Sequence, residues 1–256
     1  TVADLAPLDR YENRKLVQLG LEELSKAKRV GVFALMDRTG IQPEKINATN
    51  IGYGIGPRIN AAGRLEKAIT AYSLLMTNDW GEANELANAL QDINRRRQEL
   101  TMDSYQRARE IAVSNGDVPT LIFAADESFL PGIVGLVAGR LTEEFYRPSV
   151  VIEIGAEESH GSCRSMPEFN ITHALDKCAD LLLRHGGHAQ AAGFAIQNEN
   201  LPRLHERLKE ITESELAHYD LQPSLTVDAR VDLIDLTMDL ARTISKLEPM
   251  GTDNPE

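Results

Sequence analysis

The sequence predicts an α/β protein in two parts: a mostly helical first half with one long connecting helix, then a half whose strands and helices alternate around a central mixed sheet. Three observations carry the prediction. Apolar residues recur at helical spacing as far as Ser114. The β-branched runs "TLIFAA" and "PSVVIEI", suited to buried strands, both lie beyond Asp117. Between them "GIVGLVAGRLTEEF" returns to helical spacing.

Tyr11 to Lys28, with Leu16, Leu19, Leu21 and Leu24, predicts an amphipathic helix, or two helical pieces around Gly20. Arg29 to Asp37 predicts a short helix. "IGYGIGPRINAAGRL", Ile51 to Leu65, is expected to break the helical pattern, because it holds several glycines and a proline. Ala68 to Met76 is helical again. Trp80 to Ser114 reads as one long helix with Leu86, Leu90, Ile93, Leu100, Tyr105, Ala108 and Ile111 along one face. In the second half "HGSCRS" is a short strand or loop, Asn170 or Thr172 caps a helix running to Leu183, "AAGFAIQ" is a strand, and Leu201 to Tyr219 is a helix.

Composition narrows the function. The 256 residues fit one or two domains, with 42% hydrophobic and 26% charged residues. No apolar run reaches membrane-spanning length and no signal peptide is visible. Two cysteines, Cys163 and Cys178, make no disulfide framework, so a cytoplasmic protein is expected. The net charge of −12 argues against a protein that coats polyanions, while leaving room for a local basic groove. The chain opens on "TVADLAPLD" without Met and closes on the turn-rich "LEPMGTDNPE", as expected of a piece of a longer protein.

Four constellations are candidates for chemistry. In "PRINAAGR", Arg58, Asn60 and Arg64 stand among small residues; a pair of guanidinium forks suits phosphate, and two surface arginines on a helix are the plainer alternative. In "HGSCRS", Ser162, Arg164 and Ser165 beside Gly161 offer an anion cradle, with Cys163 on the other strand face and no local pattern that would activate its thiol. In "GGHAQAAGF", Gly186, Gly187 and Gly193 permit close approach of backbone, leaving His188 and Gln190 as the hydrogen-bonding side chains; a tight αβ connection with a core histidine is the alternative. Asp4 is a solvated residue or cap unless further metal ligands exist. His160, His173, His185 and His188 are dispersed without zinc-type companions, and "NRRRQ" reads as a solvated helix face.

Taken in order, "TVADLAPLDRYENRKLVQLGLEEL", "IGYGIGPRINAAGRL", "PGIVGLVAGRLTEEFYRPSVVI", "GSCRS", "GGHAQAAGF" and "LEPMGTDNPE" resemble successive motifs of RecJ-type single-stranded-DNA-specific exonucleases of the DHH phosphoesterase superfamily. "GGHAQAAGF" alone is shared with other DHH phosphodiesterases, and a related version occurs in alanyl-tRNA synthetases. The resemblance implies two divalent metals, Mn²⁺ or Mg²⁺, held by an Asp-x-Asp motif, a further Asp, a DHH motif and a late Asp. Of these ligands only the last has a counterpart here, Asp4, so this chain alone is expected to be inactive and to hold no metal by itself. Residues 1–79 would be the end of a DHH catalytic domain, 80–116 the connecting helix, 117–222 the DHH-associated domain, and 223–256 the junction to an OB-fold that the chain lacks.

Roles follow by the same resemblance. Ser162 and Arg164 would grip a terminal 5′-phosphate, with Ser165, Gly186, Gly187 and Gln190 also in the substrate site. His188 would act at the scissile phosphate, Arg58 and Arg64 on backbone phosphates, and Asn60 would order their loop. The implied activity is 5′→3′ hydrolysis of single-stranded DNA in repair and recombination, by a cytoplasmic monomer, with a helicase and a single-strand-binding protein as candidate partners and no membrane. The alternatives are a DHH phosphodiesterase acting on oligoribonucleotides or cyclic dinucleotides, and a non-catalytic nucleic-acid-binding module.

Overall fold

A computed structural model describes residues 2–3, 6–113 and 117–255. The chain divides into two compact units, Thr1–Arg96 with Thr226–Glu256, and Arg97–Leu225. The helices α1 (Tyr11–Ser25), α2 (Val30–Thr39), α3 (Gly56–Leu65), α4 (Ile69–Met76) and α5 (Trp80–Ala112) come first. They are followed by β1 (Ile122–Asp126), α6 (Val134–Phe145), β2 (Ser149–Glu153), β3 (Glu158–Arg164), α7 (Ile171–Asp176), β4 (Leu182–His188), β5 (Ala191–Gln197), α8 (Leu201–Leu216) and α9 (Met238–Ile244).

In the first unit α1 runs unbroken through Gly20, as one helix and not two. The glycine-rich stretch does not break the helix either: Asn50–Ile55 is a π-helical turn leading directly into α3. Pro57 falls in the first turn of α3, where an amide hydrogen is not needed. Upstream, Asn47 and Asn50 each accept the other's backbone N–H, at 2.8 and 3.1 Å, which fixes the entry. Leu35, Met36, Ala61, Ala62, Leu74, Ala83, Ala87 and Leu90 form the core. The deepest line of α5 is therefore made of small residues, Ala83 and Ala87, with Leu90, then Thr101 and Ala108; the larger Leu86 and Leu100 are only half-buried. The last stretch of the chain packs on the start of this unit. Leu8 donates to the Thr252 carbonyl at 2.8 Å, and Arg14 to the carbonyls of Leu247 and Glu248.

The second unit is a five-stranded sheet in the order β1-β2-β3-β5-β4. β1 and β2 are parallel, joined through α6, and the other pairs are antiparallel, so the sheet is mixed as expected. Strand alternation sends Val150, Ile152, Cys163, Ala192, Phe194 and Ile196 to one face, where Leu175, Leu204 and Leu208 of α7 and α8 join them in the core. One expected element is corrected. Asn170 does cap a helix, accepting from the His173 backbone N–H at 3.1 Å, but α7 ends at Asp176. Leu182–His188, expected as the end of that helix and a connection, is the edge strand β4. Its exposure removes the inward apolar alternation by which a strand is recognised.

Candidate nucleic-acid interface

The sheet face opposite that core is covered by α6 over β2 and β3, and its β5–β4 side is exposed. Register places three cross-strand rows on it: Arg164–Ala191–His188, Ser162–Gly193–Gly186, and His160–Ala195–Arg184. Each row has a polar or small residue on β3 and β4 and a small one on β5. The result is a shallow Gly/Ala floor between two outer strands about 10 Å apart.

Ser162 and Arg164 meet the first turn of α6. A Cβ at Gly135 would lie 3.0 Å from Ser162 Oγ and 3.5 Å from Arg164 Nη2. Arg164 Nη1 donates to the Cys163 carbonyl at 2.8 Å, which holds the guanidinium over the strand. A hydroxyl, a guanidinium and the N-terminal end of a twelve-residue helix therefore converge, each favouring an anion. Gly135 was not singled out from the sequence. A glycine in "PGIVG" becomes informative only once α6 is known to cross β3 there.

Ser165 does not join this cradle, contrary to expectation. It is 8% exposed, its hydroxyl donates to the Phe169 carbonyl at 2.7 Å, and its amide donates to Gln190 O at 3.0 Å. It follows β3 and turns toward the core, since only alternate residues of a strand share a face.

"GGHAQAAGF" is a hairpin with Ala189 and Gln190 as its two-residue turn, not an αβ connection. Thr172 Oγ1 donates to His188 O at 2.6 Å and Ile171 N to Ala189 O at 2.9 Å, pinning the tip to the start of α7. His188 is exposed on the open face, and its ring makes no hydrogen bond among the described residues, so the core-histidine alternative is excluded. The two glycines before it differ. A Cβ at Gly187 would meet Ala191 O at 2.3 Å, whereas one at Gly186 meets nothing within 4 Å and projects over the floor. His185, on the other face, bonds Asp176 at 2.9 Å.

The guanidinium pair expected in "PRINAAGR" is split. Arg58 Nε donates to Gln91 Oε1 and Nη1 to Gly54 O, both at 2.6 Å, bracing the glycine-rich turn against α5. Burial lowers its pKa. Asn60 and Arg64, four residues apart, share the exposed side of α3. At 100° per residue Arg58 cannot lie beside them.

Both cysteines are buried, and burial pushes the Cys163 thiol up to about 12 and that of Cys178 to about 11, far from nucleophilic. Among the described residues no three His, Cys, Asp or Glu side chains cluster closely enough for a metal; Asp4, the metal candidate, lies outside the described residues. No helix among them is long and apolar enough to cross a membrane.

Within the second unit, residues 117–214 match the family model described as the DHHA1 domain. Beyond that range, the chain is similar over its whole length to RecJ exonucleases. It is 37% identical over 258 residues to the single-stranded-DNA-specific exonuclease RecJ of Bacillus subtilis, covering 100% of this chain and 33% of the relative. Crystal structures of RecJ from Thermus thermophilus with Mn²⁺ and with Mg²⁺ superpose with TM-scores of 0.89 and 0.88 at 33% identity, again over 100% of this chain and 37% and 39% of theirs. The chain thus spans between about a third and two fifths of the length of these relatives.

Proposed function

We propose that this chain holds single-stranded DNA for a metal-dependent 5′→3′ exonuclease of the RecJ type. The observation that carries the reading is the corner where Ser162, Arg164 and the first turn of α6 converge beside an open Gly/Ala floor, in a chain homologous to RecJ throughout. The corner takes the terminal 5′-phosphate. His188, in the row of Arg164 on the β4 side of the floor, donates to a non-bridging oxygen of the scissile phosphate of a strand lying between them. Gly186 and Gly193 keep the floor low enough for a single strand, Gly187 makes the hairpin beneath His188 possible, and Gln190 offers its carboxamide at the tip. Asn60 and Arg64 contact the strand backbone from α3, and Arg58, with Nη2 outside its two bonds, supports the turn before them. Asp4 would be one of the ligands of Mn²⁺ or Mg²⁺, and the metal would supply an activated water.

Residues 1–79 then read as catalytic-domain structure and 80–116 as the connection to the DHHA1 domain. Work in DNA repair and recombination, in the cytoplasm, as a monomer that meets a helicase and a single-strand-binding protein, follows from the resemblance to RecJ. Phosphodiester hydrolysis of cyclic dinucleotides is less well supported, since a cyclic ligand presents no terminal monoester to the Ser162–Arg164 corner.

The test is binding of 5′-phosphorylated and 5′-hydroxyl oligothymidylates by the chain. Arg164→Ala should weaken the phosphorylated strand by about 2 kcal/mol, some thirtyfold, and leave the hydroxyl strand nearly unchanged. If the two strands keep their wild-type affinity ratio in the variant, Arg164 does not read the phosphate.

A further inference from the structure

The third row of the open face, His160–Ala195–Arg184, has no part in the reading above. Arg184 crosses the floor: its Nη2 lies 3.4 Å from His160 Nε2, although Ala195 of β5 stands between their strands. Ala195 is 1% exposed on an otherwise open face, as expected if these side chains lie over it. His160 Nδ1 lies 3.4 Å from Glu153 Oε2.

Apart from Glu153, which faces His160, the carboxylates that pair with arginine or lysine in the second unit lie elsewhere. Arg107 pairs with Asp126, Arg109 with Glu144, Lys177 with Glu215 and Arg207 with Asp180. Among the described residues neither Arg164 nor Arg184, the two arginines of the open face, has a carboxylate within salt-bridge distance. In a chain of net charge −12, two arginines without acidic partners therefore mark the two ends of one floor. Ala191 and Ala195 lie four residues apart on β5, which sets the two ends about 13 Å apart along the strand. A nucleic-acid strand laid lengthwise along β5 meets both; one crossing the sheet, or a ligand with a single phosphodiester, meets only one.

We infer that Arg184 is a second phosphate contact, and that the strand runs lengthwise over β5 from the Ser162–Arg164 corner to Arg184. This rests on the proposed function, and the experiment separates the two. Binding to the chain is compared for a 5′-phosphorylated thymidine dinucleotide, by competition, and for a 5′-phosphorylated oligothymidylate of about 12 nucleotides. The proteins are the wild type, Arg164→Ala, Arg184→Ala and Arg203→Ala, the last on α8 behind the sheet; thermal melts check that each is folded.

Arg184→Ala should bind the long strand about tenfold more weakly, with its log-affinity-versus-log-salt slope reduced by about 0.7, the value for one phosphate of a single strand. Its dinucleotide affinity should be unchanged. Arg164→Ala should weaken both ligands and Arg203→Ala neither. If Arg184→Ala leaves the long strand unaffected while Arg164→Ala weakens it, the lengthwise track is wrong and the proposed function stands. Equal weakening of both ligands by Arg184→Ala, or equal weakening by Arg203→Ala, also overturns the track. If neither Arg164→Ala nor Arg184→Ala matters, the face is not a nucleic-acid surface and the proposed function fails with it.

Discussion

His188 separates a chemical from a structural role most sharply. It is exposed, its ring is without a hydrogen bond among the described residues, and Thr172 holds only its backbone carbonyl. Replacement by alanine should therefore leave folding alone. In an exonuclease carrying this chain, His188→Ala should lower kcat by about 10²–10³, the scale for losing one transition-state donor. Strand affinity and melting temperature should stay near wild type. A lowered melting temperature with normal turnover per folded molecule would mean that His188 supports the hairpin and not the reaction. At this scale the sequence carried more than residue types alone suggest. Strand alternation puts Ser162 and Arg164 on one face and opposes Ser165, so the burial of Ser165 was legible in "GSCRS" once the segment is a strand. The partners of Arg58 were not legible, because Gln91 lies on another helix and no local spacing brings the two together.

The hairpin of β4 and β5 was the element least visible in the sequence. Its turn is Ala189-Gln190, without the Asn-Gly or Asp-Gly signal of a two-residue loop, and β4 is an edge strand with little apolar content. Its glycines make opposite predictions. At Gly187, where φ is 156°, a Cβ would lie 2.3 Å from Ala191 O and 2.5 Å from Ala192 Cα, so Gly187→Ala must displace the paired strand. A stability loss of about 2–3 kcal/mol is expected, read as a lower midpoint in urea. At Gly186 a methyl group meets nothing within 4 Å, so Gly186→Ala should keep the midpoint and weaken single-strand binding by standing on the floor. The reverse pattern, a destabilised Gly186→Ala beside a neutral Gly187→Ala, would contradict the hairpin register. The helices of the first half were clearer, since their apolar spacing is local. What spacing hid was that glycines and Pro57 in "IGYGIGPR" continue the helix, through a π-helical turn and a first-turn proline.

For the whole molecule, charge and site pull in opposite directions. A net charge of −12 repels a polyanion at long range, so nucleic acid has to be held by a few placed cations and not by a general field. In the second unit the candidates are Arg164 and Arg184 on the open face of the sheet. Each phosphate neutralised on a single strand contributes about 0.7 to the salt slope, so the two contacts of the open face contribute about −1.4 to log affinity against log salt. A protein coated in cations would give a slope several times steeper. Titrating a 5′-phosphorylated oligothymidylate into the chain at a series of NaCl concentrations measures the slope directly. Binding should also weaken as the strand shortens below the floor's length of about 13 Å, because fewer of these cations are then engaged. A slope several times steeper than about −1.4 would show that binding spreads over many basic side chains outside the open face, and the placed-cation account of this acidic chain would have to be abandoned.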